Sequence, residues 1–218
     1  MRSDLPSIVV ASFLWLVGSL TGATITVTNF DGVESNLITN ARGKLLTSGT
    51  VRLGSFGFSD AEVRSAFERQ APQEVMAAFS QFGHSVAVNF DGLPGLYQST
   101  IQDTISSDHS LLGESIYTVI TDTPSLETAA EWLVFRHDQV FLEDPLPNQP
   151  ALLNATTPGE LLVGLFGNRT ATVGQIIDGS VFGLVMVIPE PSASVLLLLS
   201  IMLAIVPRRR RLIFPLSS

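Results

Sequence analysis

The chain has 218 residues, no cysteine and a formal net charge of −8 at neutral pH, with 45% hydrophobic and 15% charged residues. Without a thiol it can form neither disulfides nor thiolate metal sites, and thiol catalysis is excluded. The acidic balance repels phosphate backbones and anionic lipid, which argues against nucleic acid as a partner.

In chain order, the first element is an address. Arg2 supplies a basic start, residues 8–17 (IVVASFLWLV) form an apolar core, and Thr21-Gly22-Ala23 places small residues before a cut. This is the pattern of a secretory signal peptide spanning residues 1–23, translocated by the general secretory machinery and cleaved by signal peptidase after Ala23. Asp4 sits in the n-region, where positive charge is usual.

A single domain of ordinary size then runs over residues 24–188. It holds seven basic residues against eighteen acidic ones, a net charge of −11. Residues 24–30 (TITVTNF) alternate as a strand, and Asp31-Gly32 reads as a turn. Residues 44–53 predict a strand pair around Ser48-Gly49. Ser59-Asp60 followed by Glu62 has the chemistry of a helix start, because a short oxygen-bearing side chain accepts from the free first-turn amides and an acid suits the positive helix end. Val63, Ala66, Phe67 and Ala71 follow at helical spacing. Pro72 fits the first turn of a second helix with Val75, Met76, Phe79 and Phe82 on one face, ending at Gly83. The expectation is a helix pair over residues 60–82 whose apolar stripe is core.

Beyond Gly83 the chain returns to strand signals at residues 84–90, 113–121, 131–136, 160–166 and 180–188. A helical turn is expected over residues 126–131. Residues 138–157 contain Pro145, Pro147 and Pro150 and read as a surface loop. The pentads Asn29-Phe30-Asp31-Gly32-Val33 and Asn89-Phe90-Asp91-Gly92-Leu93 share a turn chemistry. The fold class expected is mainly β with a helical hairpin, an α+β body built as an antiparallel β-sandwich or barrel.

The last segment is a second address. Pro189, Glu190 and Pro191 break the chain, since two prolines fix φ and disfavour helix at the residues before them. The uncharged run at residues 193–206 (ASVLLLLSIMLAIV) follows, preceded by Ser192 as a cap; at about 1.5 Å per residue it spans roughly 21 Å against a hydrocarbon core of about 30 Å. Arg208, Arg209, Arg210 and Arg211 come next, and positive charge beside a membrane segment stays on the cytoplasmic side. The topology expected is body outside, C-terminus inside.

This order of elements resembles the PEP-CTERM sorting signal of Gram-negative bacteria. In that resemblance Pro189, Glu190 and Pro191 match the processing motif, residues 193–206 the transmembrane helix, and Arg208 to Arg211 the cytoplasmic stop signal, together the segment 189–211. The tail at 212–218 (LIFPLSS) is longer than is typical. The resemblance implies processing by an exosortase, a transient anchor in the inner membrane, and delivery to the cell surface or an exopolysaccharide matrix of the kind that holds a biofilm together. From Gly113 onward the body also resembles a group of uncharacterised PEP-CTERM proteins, in a strand at residues 115–119 and an Ala-Ala-Glu-Trp turn, and it resembles no well-characterised family.

Sequence motifs for catalysis are scarce. His84, His109 and His137 are scattered outside any metal-ligand spacing, and there is no nucleophile elbow, P-loop or dinucleotide fingerprint. The pairs Glu143/Asp144 and Asp103/Asp108 are candidate glycosidase acids without a set separation. Asp31-Gly32 and Asp91-Gly92 offer oxygens but do not fit a calcium loop. The expectation is a non-enzymatic surface or matrix protein without cofactor or metal, with a structural, adhesive or weak glycan-binding role. The alternative is a secreted polysaccharide-acting hydrolase, which would be favoured by paired carboxylates in one cleft beside an exposed Trp132 or Tyr97.

Overall fold

The computed structural model describes residues 23–30, 36–144, 149–153, 159–173 and 176–187. The expected signal peptide upstream of Ala23, Asp31-Gly32, the expected sorting motif and transmembrane helix, the arginine cluster and the 212–218 tail lie outside them. Among the described residues no helix is long and apolar enough to cross a membrane.

The body is mainly β, with two helices. A central sheet holds β3 (Thr50–Phe56), β4 (Phe79–Ala87), β6 (Ser115–Thr121), β7 (Glu131–Val140) and β12 (Val185–Met186) in the order β12-β7-β6-β3-β4, with β9 (Gly159–Val163) also pairing β7. A second sheet places β1 (Ala23–Thr28) between β5 (Gln98–Asp103) and β8 (Gln149–Leu152). The third joins β10 (Leu165–Val173), β11 (Ile176–Gly183) and β2 (Leu37–Thr39). The helices are α1 (Asp60–Glu68) and α2 (Gln73–Met76).

Side chains alternate across a strand, and in the central sheet both sets are buried. Val51, Leu53, Ile116, Ile120, Leu133 and Phe135 face a core completed by Ile25, Val27, Ile101 and Ala151 of the second sheet. The opposite set, with Phe56, Tyr117, Val119, Trp132 and Val134, meets Val63, Ala66, Phe67, Val75 and Met76 of the helices. Phe67 crosses Trp132 edge-on with centroids 5.6 Å apart. This explains the near-continuous apolar runs of β6 and β7: a strand covered on both faces has no polar phase. Each such side chain contributes roughly 1.5–3 kcal/mol on full burial.

α1 begins where expected. Ser59 is the N-cap of a capping box: its hydroxyl accepts from the Glu62 amide, and the Glu62 carboxylate accepts from the Ser59 amide at 2.9 Å. Its stripe Val63, Ala66 and Phe67 is buried, as core.

Several expectations are corrected. The second helix stops at Met76, and residues 79–82 belong to β4, because pairing with β3 places Phe79 opposite Phe56 with rings 5.0 Å apart. Gly83 does not end a helix. Its φ of +57° sits in a bulge where residues 83–85 oppose Arg52, and its N–H donates to Asp103 on β5 at 3.0 Å. Residues 44–49 form no strand beyond a bridge from Leu45 to Thr39. The expected loop at 138–157 carries the end of β7 and the whole of β8, and β5 had no counterpart in the sequence reading. Residues 126–128 form a turn. The sheets are also not purely antiparallel: β1 pairs β8 and β11 pairs β2 in parallel.

The second pentad makes the turn its chemistry implies. Asp91 and Gly92 both have positive φ, 51° and 76°, and the Leu93 amide donates to the Phe90 carbonyl at 2.9 Å. The first pentad is used differently. Asn29 is fully buried; its Nδ2 donates to the carbonyls of Asn36 and Gly95, each at 2.8 Å, and its Oδ1 accepts from the Tyr97 amide at 2.9 Å. Asn89 is exposed. Phe30 and Leu93 nevertheless meet in one small cluster with Leu37 and Leu96.

Candidate functional site

Two polar constellations and two clefts stand out on this frame. At the N-terminal end of α1, the Tyr117 hydroxyl donates to Asp60 Oδ1 at 2.7 Å and Arg136 Nε lies 3.2 Å from Asp60 Oδ2, an ion-pair distance without hydrogen-bond alignment. Arg136 also approaches Glu160 at 3.5 Å, and Arg64 of α1 pairs with the same carboxylate. Burial, then the bond to Asp60, pushes the Tyr117 phenol above its ordinary range. Each charge here has an opposite partner, so the cluster fastens α1 to β6, β7 and β9.

Arg52 lies on the same face of the sheet, 5% exposed, donating to Thr121 Oγ1 at 3.1 Å and to the Pro124 carbonyl. Burial lowers its pKa, but a guanidinium keeps its proton in proteins. Its neutral oxygen partners hold the 121–124 turn.

The sequence candidates are dispersed. Trp132 and Tyr97 are both 0% exposed, so neither offers a stacking platform. The Trp132 indole donates to the Ala129 carbonyl at 3.2 Å. Asp103 accepts from the amides of Gly83 and Thr104, Asp108 from the Ser106 hydroxyl, and Asp144 from the Ile105 amide. These acids order turns. His137 is buried with its Nε2 2.8 Å from Thr118 Oγ1, and desolvation lowers its pKa to about 4. His109 Nδ1 accepts from the Leu111 amide at 3.1 Å, and His84 is exposed in the β4 bulge. Among the described residues no three His, Asp or Glu side chains gather as a metal site. Ala23 opens β1 opposite Asp103.

One cleft, of about 380 Å³, runs past Ser55, Ser80, Ser110 and Glu114. The larger, about 530 Å³, lies between the turn at residues 40–44 and the β10–β11 pair. Asn40 organises that turn. Its Oδ1 accepts from the amides of Arg42 and Lys44, each at 3.0 Å, which leaves its amide NH2 as the outward donor. Glu131 accepts from the Ala41 amide at 2.9 Å beneath it. Among the described residues, no carboxylate lies within ion-pair distance of Arg42 or Lys44, whereas Arg64, Arg69 and Arg136 are all paired. The facing wall carries Leu165, 62% exposed; Phe166, paired with Phe182, turns its ring to the other face of the sheet, 5.0 Å from the Phe182 ring. None of this was marked in the sequence.

No family model, no curated protein and no solved structure matches this chain.

Proposed function

We propose that the chain is an exported surface or exopolysaccharide-matrix protein, released from a transient inner-membrane anchor by an exosortase and acting through structure, adhesion or glycan contact. The observation that carries this reading is the order of the tail: Pro189-Glu190-Pro191, an uncharged run at 193–206, and Arg208 to Arg211. The signal pattern ending at Ala23 supports it independently, and the body between is read as a sheet-on-sheet sandwich with its helices on the outer face. In this reading the chain enters the membrane with residues 24–188 outside and the arginines inside, because each arginine at a helix centre costs roughly 2.5–3.5 kcal/mol on insertion scales.

A non-enzymatic role is favoured by the way the candidate acids are employed. Asp103, Asp108 and Asp144 hold local turns, and the aromatic residues a hydrolase would present to sugar, Trp132 and Tyr97, are sealed in the core. The test is processing. In a Gram-negative host carrying an exosortase, replacing Pro189-Glu190-Pro191 by alanines should leave a membrane-held precursor; an identical mature C-terminus in mutant and wild type, by mass spectrometry, would refute it.

A further inference from the structure

We propose that the cleft at the end of the β3–β4 pair binds a neutral sugar unit of a polysaccharide; this rests on the matrix role above and names the ligand class. Its polar lining is Ser55, Ser80, Ser110 and Glu114. Ser55 and Ser80 are cross-strand partners, so the pleat turns both to one face, the face of Leu53 and Phe82. Leu111 joins the same core beside them. Ser80 is exposed, whereas Ser55 is 3% exposed and its Oγ has no hydrogen-bond partner. Buried hydroxyls are normally satisfied, so an unpartnered one at the floor of a cleft marks a place for a ligand's polar group. Among the described residues, no hydrogen bond or ion pair engages the side chains of Ser80, Ser110 or Glu114 either.

This set selects its ligand by chemistry. A hydroxyl both donates and accepts while a carboxylate only accepts, so the partner must carry donors and acceptors closely spaced. The neighbouring hydroxyls of a pyranose meet that need. A bound cation would call for several carboxylates, and a sugar acid would face Glu114 with no basic residue in the lining to offset it. One acid also falls short of the pair that glycoside hydrolysis uses, so the cleft binds without cleaving. Phe58, 37% exposed, adds apolar surface for the C–H face of the ring. The volume of about 380 Å³ lies within the range of small-ligand sites.

The body's net charge of −11 repels an anionic polymer and leaves a neutral one unaffected. Binding through neutral hydroxyls is therefore insensitive to salt.

The experiment titrates the purified full-length chain with cellohexaose, maltohexaose, mannohexaose and polygalacturonate by calorimetry. At least one neutral hexasaccharide should bind, at least about tenfold more tightly than polygalacturonate, with the same affinity at about 0.05 M and about 0.5 M salt. Glu114→Gln should weaken it about tenfold, the loss of a charge-assisted acceptor. Ser55→Ala should also weaken binding without lowering the melting temperature, because the hydroxyl it removes bonds nothing inside the fold. No binding of any neutral hexasaccharide, equal binding of polygalacturonate, an affinity that falls with salt, or full affinity in either variant would each overturn the site. Glu114 is exposed with an unpartnered side chain, so that variant stays informative if Ser55→Ala fails to fold. Loss of binding leaves the processing result untouched, and a processing failure leaves the binding result untouched.

Discussion

Tyr117 of β6 donates a 2.7 Å hydrogen bond to Asp60, the first residue of α1, so the helix is held to the sheet by a polar contact at the margin of an apolar interface. Removing the hydroxyl leaves Asp60 with Arg136 as its remaining partner. Tyr117→Phe should lower stability by about 1–1.5 kcal/mol, and Asp60→Asn in the same background should add less than it does alone. A double-mutant cycle in denaturant measures the coupling, and strict additivity would refute it.

His137 makes stability depend on pH. Its folded pKa is lowered to about 4 from the ordinary 6.5, so it stays neutral in the core where the unfolded chain takes up a proton. The unfolded state thus binds more protons between these values. Stability from this group is complete above about pH 6.5 and is lost as pH falls toward 4, by about 3 kcal/mol in all. Unfolding midpoints at pH 7.5 and 4.5 should separate more for the wild type than for His137→Gln. Equal separations would remove His137 as the cause.

The two matched pentads should respond oppositely to the same change. Asn29→Ala removes three hydrogen bonds inside the core and strands the Asn36 carbonyl and the Tyr97 amide, while the Gly95 carbonyl keeps the Ile38 amide, a loss of about 3 kcal/mol. Asn89→Ala acts at an exposed position and should stay within about 0.5 kcal/mol. Chemical denaturation of both variants decides it, and similar losses would mean that the turns share a structural role.

Gly83 is predicted to resist any side chain. Its φ of +57° costs other residues about 1–2 kcal/mol, and a Cβ would lie 2.5 Å from Ile101 Cγ2. Gly83→Ala should lower the melting temperature by several degrees, more than a surface change of the same size. An unchanged melting temperature would show that β4 and β5 separate easily there.

What the sequence disclosed was local chemistry. Ser59 and Glu62 form a box within one turn, and the apolar runs of β6 and β7 lie in unbroken segments, so both were legible. Val75, Met76, Phe79 and Phe82 fit a helical period as well as a strand edge, and only the partner strand β3 decides between them. In β5 the one buried apolar residue is Ile101, too little to mark a strand. Asp60, Tyr117, Arg136 and Glu160 are spread over a hundred positions, and the 40–43 turn shares a cleft with Leu165 only because β2 lies beside β11. Juxtapositions of that kind leave no spacing to read.

The same parallel pairing sets when the body can close. Thr39 donates to the Phe182 carbonyl across 143 positions, and β1 waits for residues 149–152 before it has both neighbours. A chain delivered N-terminus first therefore completes the β5-β1-β8 sheet only at residue 152, and the β10-β11-β2 and central sheets only at residues 183 and 186. Distant closures of this sort slow folding. Under the proposed export, such lateness would keep the N-terminal segments from locking before the rest has passed, since the partner that Thr39 needs lies in β11.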